Sequence, residues 1–130
     1  MFKYSTYSQV NLASCDIRLQ RIFNKAIEIV DISIVYGHRG FETQEVLFSQ
    51  GLSKKRGGES KHNLTPSLAI DAAMYPIDTR ALNSFYYLAG IVKAIAALDN
   101  VKIRWGGDWD MDNCFTDQTF NDLYHYELID

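Results

Sequence analysis

Leu68-Ala69-Ile70-Asp71-Ala72-Ala73 is a short apolar run interrupted once, by an aspartate. Its length suits a strand better than a helix. Residues 51–67 before it (GLSKKRGGESKHNLTPS) are rich in Gly and Ser, carry the basic residues Lys54, Lys55, Arg56 and Lys61, and read as a long surface loop. Pro76 breaks the chain after it. From about Thr79 to Leu98, Leu82, Phe85, Ala89, Val92 and Ala96 recur at helical spacing, and Leu88, Ile91 and Ile95 widen the stripe. A central helix, buried over much of its surface, is expected there.

The same reasoning extends to both ends. Leu19, Ile22, Phe23, Ala26, Ile27 and Val30 mark one helix face, with Ser14 or Asp16 as its cap. A strand is expected from about Ile32 to Tyr36, then a short helix over Glu42 to Gln50 that Gly51 stops. Val101 to Trp105 and Tyr124 to Ile129 read as strands, separated by a turn-rich loop that begins at Gly106. Residues 1–13 show no stripe and are expected to form an extended arm. Short strands joined by irregular loops predict an α+β fold: helices packed on a small, mainly antiparallel sheet, in a single domain over residues 1–130.

Composition narrows the function classes. The chain has 130 residues, 47% of them hydrophobic and 22% charged, so it is globular rather than disordered. Thirteen Lys and Arg against sixteen Asp and Glu, a net charge of −3, lack the basic excess of a nucleic-acid binder. Cys15 and Cys114 form no metal or redox motif and are expected to be reduced thiols. No stretch is apolar for long enough to span a bilayer, and the N-terminus has no signal-peptide core, so synthesis in the cytoplasm, no membrane insertion and a monomer are expected.

Three groups carry chemistry: His62 in the irregular loop, Asp71 in the strand after it, and His125 in the last strand. Brought together, two imidazoles and a carboxylate suit Zn²⁺, which takes four partners when tetrahedral and so would keep one position for water. The ion lowers the pKa of such a water to about 7. Residue types alone leave a plainer reading open, since loop histidines are commonly surface groups and strand aspartates commonly end hydrogen-bond networks. Hydrolysis also needs a group that takes a proton and returns it to the leaving amine. Asp122 is the candidate, expected just before the strand or at a bulge; Glu127, which shares His125's parity, is the alternative base.

Ser60-Lys61-His62, Pro66-Ser67-Leu68-Ala69-Ile70-Asp71, Trp105-Gly106-Gly107-Asp108-Trp109 and Asp122-Leu123-Tyr124-His125-Tyr126-Glu127-Leu128 follow one another in this order. Together they resemble the phage L-alanyl-D-glutamate peptidases, which stand with the D-Ala-D-Ala carboxypeptidases among zinc peptidases. The resemblance runs from about Gly37 to Leu128. It implies His62, Asp71 and His125 as zinc ligands, Asp122 as the acid/base carboxylate, and Arg39 as the cation that polarises the scissile carbonyl. Two departures stand out. The spacing from His62 to Asp71 is longer than is common in the family, and Tyr124 and Tyr126 flank His125 where Pro and Phe are frequent.

Trp105, Asp108 and Trp109 are expected to line the substrate groove, to orient a ligating histidine through a hydrogen bond, or to close a packed aromatic corner. His38 is expected to be exposed or to support a ligand from behind. Asp108, Asp110 and Asp112 alternate as in a calcium loop, but Asn113 and Thr119 stand where an EF-hand has Gly and Glu. The resemblance implies a zinc metallopeptidase that hydrolyses an amide of peptidoglycan stem peptides, the L-Ala–D-Glu bond. Its setting would be that of a phage endolysin, held in the host cytoplasm and acting on the cell wall after release. A D-Ala-D-Ala carboxypeptidase is the alternative enzyme. A non-catalytic, zinc-braced wall-binding domain is the alternative outside enzymes.

Overall fold

The computed structural model describes residues 1–117 and 121–129. In chain order its elements are α1 (Thr6–Ala13), α2 (Ile17–Ala26), β1 (Ile32–Tyr36), α3 (Phe41–Ser49), a 3₁₀ turn (Lys61–Asn63), β2 (Ala69–Met74), α4 (Leu82–Leu98), β3 (Ile103–Trp105) and β4 (His125–Leu128). The strands form one antiparallel sheet in the order β1-β2-β4-β3. The expected α+β architecture is present. Element ends shift by a few residues: α2 stops at Ala26 and α4 starts at Leu82.

The two-residue period of the strands divides the sheet into two faces with different chemistry. Ile32 and Ile34 of β1, Ile70 and Ala72 of β2, Ile103 and Trp105 of β3, and Tyr126 and Leu128 of β4 enter the hydrophobic core. There they meet α2 and α4, represented by Phe23, Leu88 and Val92. Phe23 stands edge-on to Tyr126 with ring centroids 5.5 Å apart, a contact that contributes about 0.5–1.5 kcal/mol beyond its area. The alternate residues Asp71, His125, Glu127 and Arg104 lie on the opposite face. Register sets Asp71 opposite His125 and Arg104 opposite Glu127.

The extended arm expected at residues 1–13 is corrected: Thr6–Ala13 is a helix, capped by the Ser5 side chain on the Ser8 amide. It has no apolar stripe to read because polar groups dock it. Ser8 Oγ accepts from the Ile34 amide at 2.9 Å, and Asn11 Nδ2 donates to the Ile34 carbonyl at 2.9 Å. Tyr4 Oη donates to the Phe23 carbonyl at 2.6 Å. Helix α1 thus satisfies backbone groups of the edge strand β1 that would otherwise offer a template for another chain.

Candidate metal centre

His62 sits in the 3₁₀ turn that ends the long loop, where Ser60 caps the turn and Asn63 closes a capping box. This turn is fastened to the segment after β1. The Arg39 amide donates to the His62 carbonyl at 2.7 Å, and Asn63 Nδ2 donates to the Arg39 carbonyl at 2.8 Å. Gly37 lets the end of β1 pack against α1: a Cβ there would stand 2.0 Å from the Asn11 carbonyl oxygen. Asp71 and His125 project from β2 and β4 at paired positions.

The three side chains converge. His62 Nε2 lies 3.2 Å from Asp71 Oδ1 and 3.3 Å from His125 Nδ1, and His125 Nδ1 lies 3.3 Å from Asp71 Oδ1. Ligand atoms about 2.0–2.1 Å from a tetrahedral ion stand about 3.3 Å from one another, so the triangle has the edges of one zinc tetrahedron. Both imidazoles are also oriented for this. His62 Nδ1 is 2.8 Å from the Gly37 carbonyl oxygen, to which it donates, and that frees Nε2. His125 Nε2 is 2.8 Å from Glu127 Oε1, which frees Nδ1. Such outer contacts set the tautomer of a ligating histidine. The residues present fit a divalent ion with an open fourth position.

The charges around the triangle agree. Burial alone would raise the Asp71 carboxyl, but the neighbouring histidines outweigh it and hold it far below the usual carboxylate range. Burial works against a charged His125, yet hydrogen bonds to Asp71 and Glu127 raise it to about 9. Glu127 is likewise held low by His125 and Arg104 despite its burial. This cluster is built to hold positive charge.

Asp122 lies just ahead of β4, as expected. Its amide donates to the Gly106 carbonyl at 2.9 Å, its carbonyl accepts from the His125 amide, and a Cβ on Gly106 would come within 2.0 Å of that carbonyl oxygen. Burial, then the charge of Asp71, raises the Asp122 carboxyl. A carboxyl raised beside the His62-Asp71-His125 cluster is suited to proton transfer.

A cavity of about 610 Å³ opens over this face, lined by His62, Asp71, His125, Asp122, Arg39 and Trp109 among others. Trp109 tilts against the His125 ring at 5.6 Å. Trp105 and Asp108 are not in its lining, which corrects the expectation that they face the groove. Trp105 is buried in the core, with its indole N–H on the Leu123 carbonyl at 2.9 Å and its ring against Tyr86. Asp108 is 1% exposed, and its Oδ2 accepts from the Asn113 amide and faces Lys93. The packed aromatic corner is what forms. Asp108, Asp110 and Asp112 do gather in one loop; Thr119, which entered the calcium comparison, lies outside the described residues. His38 is exposed, as expected.

Arg39 reaches the cavity wall, but its guanidinium is already engaged. One terminal nitrogen donates to Asp71 Oδ2 at 2.8 Å and the other to Gln44 Oε1 at 3.0 Å, and the plane covers the Tyr36 ring at 4.2 Å. Asp71 is thereby held with Oδ1 towards the histidines. Glu127 is tied down in the same way, by Arg104 at 2.8 Å and Lys61 at 3.2 Å as well as by His125. Both oxygens of Glu127 are thus engaged, Oε1 by His125 and Oε2 by Arg104 and Lys61. Sequence reasoning missed Gln44 altogether; a single Gln in a helix without a strong stripe carries no signal.

Two histidines and an aspartate, gathered from a 3₁₀ turn and two paired strands, with a raised carboxyl beside them in one cavity, define a candidate metallopeptidase site. The chain belongs to the phage L-alanyl-D-glutamate peptidase family, whose sequence model matches residues 1–129. It is 32% identical to the peptidoglycan L-alanyl-D-glutamate endopeptidase CwlK of Bacillus subtilis over 82% of its own length, and it spans 64% of that protein's length. It is 26% identical to the L-alanyl-D-glutamate peptidase of Escherichia phage T5, with 98% of each chain covered. Among solved structures, the Serratia marcescens L-Ala D-Glu endopeptidase ChiX superposes with a TM-score of 0.78 at 22% identity, covering 98% of this chain and 90% of ChiX. The Zn(II) complex of the vancomycin-resistance D,D-pentapeptidase VanY superposes with a TM-score of 0.55 at 16% identity, covering 88% of this chain and 70% of VanY. These two likenesses concern the fold.

Proposed function

We propose that this chain is a zinc-dependent peptidase that hydrolyses the L-Ala–D-Glu bond of peptidoglycan stem peptides, in the manner of an endolysin acting on the host wall. The observation that carries the reading is the triangle of His62 Nε2, Asp71 Oδ1 and His125 Nδ1, with edges of 3.2–3.3 Å, at the floor of a cavity that also holds Asp122. These three atoms would hold the ion. When bound, it supplies Lewis acidity towards water and towards the scissile carbonyl.

The chain's own residues do the rest. Asp122 takes the proton of the attacking water and returns it to the leaving amine. Arg39 holds Asp71 in place, and the positive field of the same guanidinium opposes the charge that develops on the attacked carbonyl oxygen. Trp109 walls the cavity beside His125. Glu127 fixes the His125 tautomer, so Glu127→Gln should lower metal affinity about 10–100-fold, read by competition with a chromogenic chelator. Metal affinity equal to wild type would remove Glu127 from that role.

The direct test joins three measurements on the purified protein: metal content, digestion of peptidoglycan before and after chelation, and mass spectrometry of the products. About one zinc per chain, loss of digestion on chelation, recovery with added zinc, and stem peptides freed at their L-Ala end are expected. Release of terminal D-Ala would assign the carboxypeptidase reaction instead. Bound zinc with no hydrolysis would leave a zinc-braced binding domain.

A further inference from the structure

The chain carries a net charge of −3, yet the cavity wall reverses the balance. Five cationic side chains, Arg39, Lys54, Lys55, Lys61 and Arg104, face three carboxylates, Asp71, Asp122 and Glu127. Most of the pairing is internal. Asp71 is matched by Arg39, and Glu127 by Arg104 and Lys61. Lys55, at the cavity lip, enters no ion pair among the described residues.

The backbone of Lys55 is nevertheless held firmly. Its carbonyl accepts from Gln44 Nε2 at 2.7 Å, Gln44 Oε1 accepts from Arg39, and Arg39 donates to Asp71. Gln44 is fully buried, and it also donates to Ser53 Oγ at 2.8 Å. A chain of hydrogen bonds therefore sets the position of this lip relative to the metal triangle. The ammonium rides on a flexible four-carbon stem, so the anchored backbone limits its reach to the cavity mouth rather than fixing its place.

A glutamate within a peptide commits one carboxyl to the next bond and keeps the other free, whichever way it is linked. Cleavage before that residue puts a carboxylate within about one residue of the bond being cut. We propose that Lys55 reads this free carboxylate, and that this contact favours glutamate over its amide after the scissile bond. The inference rests on the L-Ala–D-Glu assignment above.

The test uses two synthetic peptides that are alike except that the glutamate's free carboxylate is a carboxamide in one. The zinc-loaded wild type should cleave the carboxylate peptide with a kcat/KM about tenfold higher, the scale of a charge-assisted hydrogen bond. In Lys55→Ala the ratio should fall close to one, mostly through KM, and in Lys55→Arg it should return. An unchanged ratio in Lys55→Ala, including an equal fall on both peptides, overturns this proposal alone. Cleavage of neither peptide by the wild type overturns the bond assignment and this proposal with it.

Discussion

Asp122→Asn should lower peptidoglycan hydrolysis about 10²–10⁴-fold, the usual loss when a positioned general acid/base is removed. Metal content and melting temperature should stay near those of the wild type. The substitution keeps the shape of the side chain and cannot accept a proton. It leaves the backbone links from Asp122 to Gly106 and His125 untouched. Asp122 is also outside the His62-Asp71-His125 triangle, so the ligand set is intact. Its carboxyl is already shifted upward, first by burial and then by Asp71, the direction that suits a group passing a proton on and back. Turnover of purified peptidoglycan with parallel metal analysis checks this. Full activity in the variant would take Asp122 out of the mechanism.

His125→Ala should abolish both stoichiometric metal and hydrolysis. The imidazole supplies one corner of the triangle through Nδ1 and joins Glu127 to it through Nε2. Its loss should exceed the roughly 10–100-fold in metal affinity that an outer-shell change costs. The fold should survive, because Arg104 and Lys61 still neutralise Glu127, and Arg39 still pairs with Asp71. The stability cost, roughly 1–3 kcal/mol, comes from hydrogen bonds removed from two buried carboxylates. Metal analysis and thermal melts with and without added zinc check both parts: zinc should raise the melting temperature of the wild type and leave that of the variant unmoved. A variant that still binds one zinc tightly would place the ion elsewhere.

Much of this site was legible in the chain. The sequence placed Asp71 and His125 each in a strand and Glu127 on the same face as His125. The shared face follows from alternation, which is a local property of a strand. It also set Asp122 ahead of the last strand. Other parts were not legible. Helix α1 is held by Ser8, Asn11 and Tyr4 bonding to partners far along the chain, so no apolar period announced it. Trp105 and Asp108 belong to a motif that suggested a groove, but their burial in the aromatic corner depends on Tyr86, Phe115 and Lys93, which come from other elements. Gln44 became visible only as the link between Arg39 and the lip.

By itself, then, the sequence determined which donor types exist, their order, and which strand residues share a face. Only the tertiary structure decided which nitrogen of each imidazole faces inward, that Arg39 holds Asp71, and that both oxygens of Glu127 are engaged. The reason is physical. Strand parity is settled within a few residues, whereas the tautomer of His62 and the freedom of Asp71 depend on partners that folding brings to them, Gly37 at 25 positions and Arg39 at 32 positions along the chain.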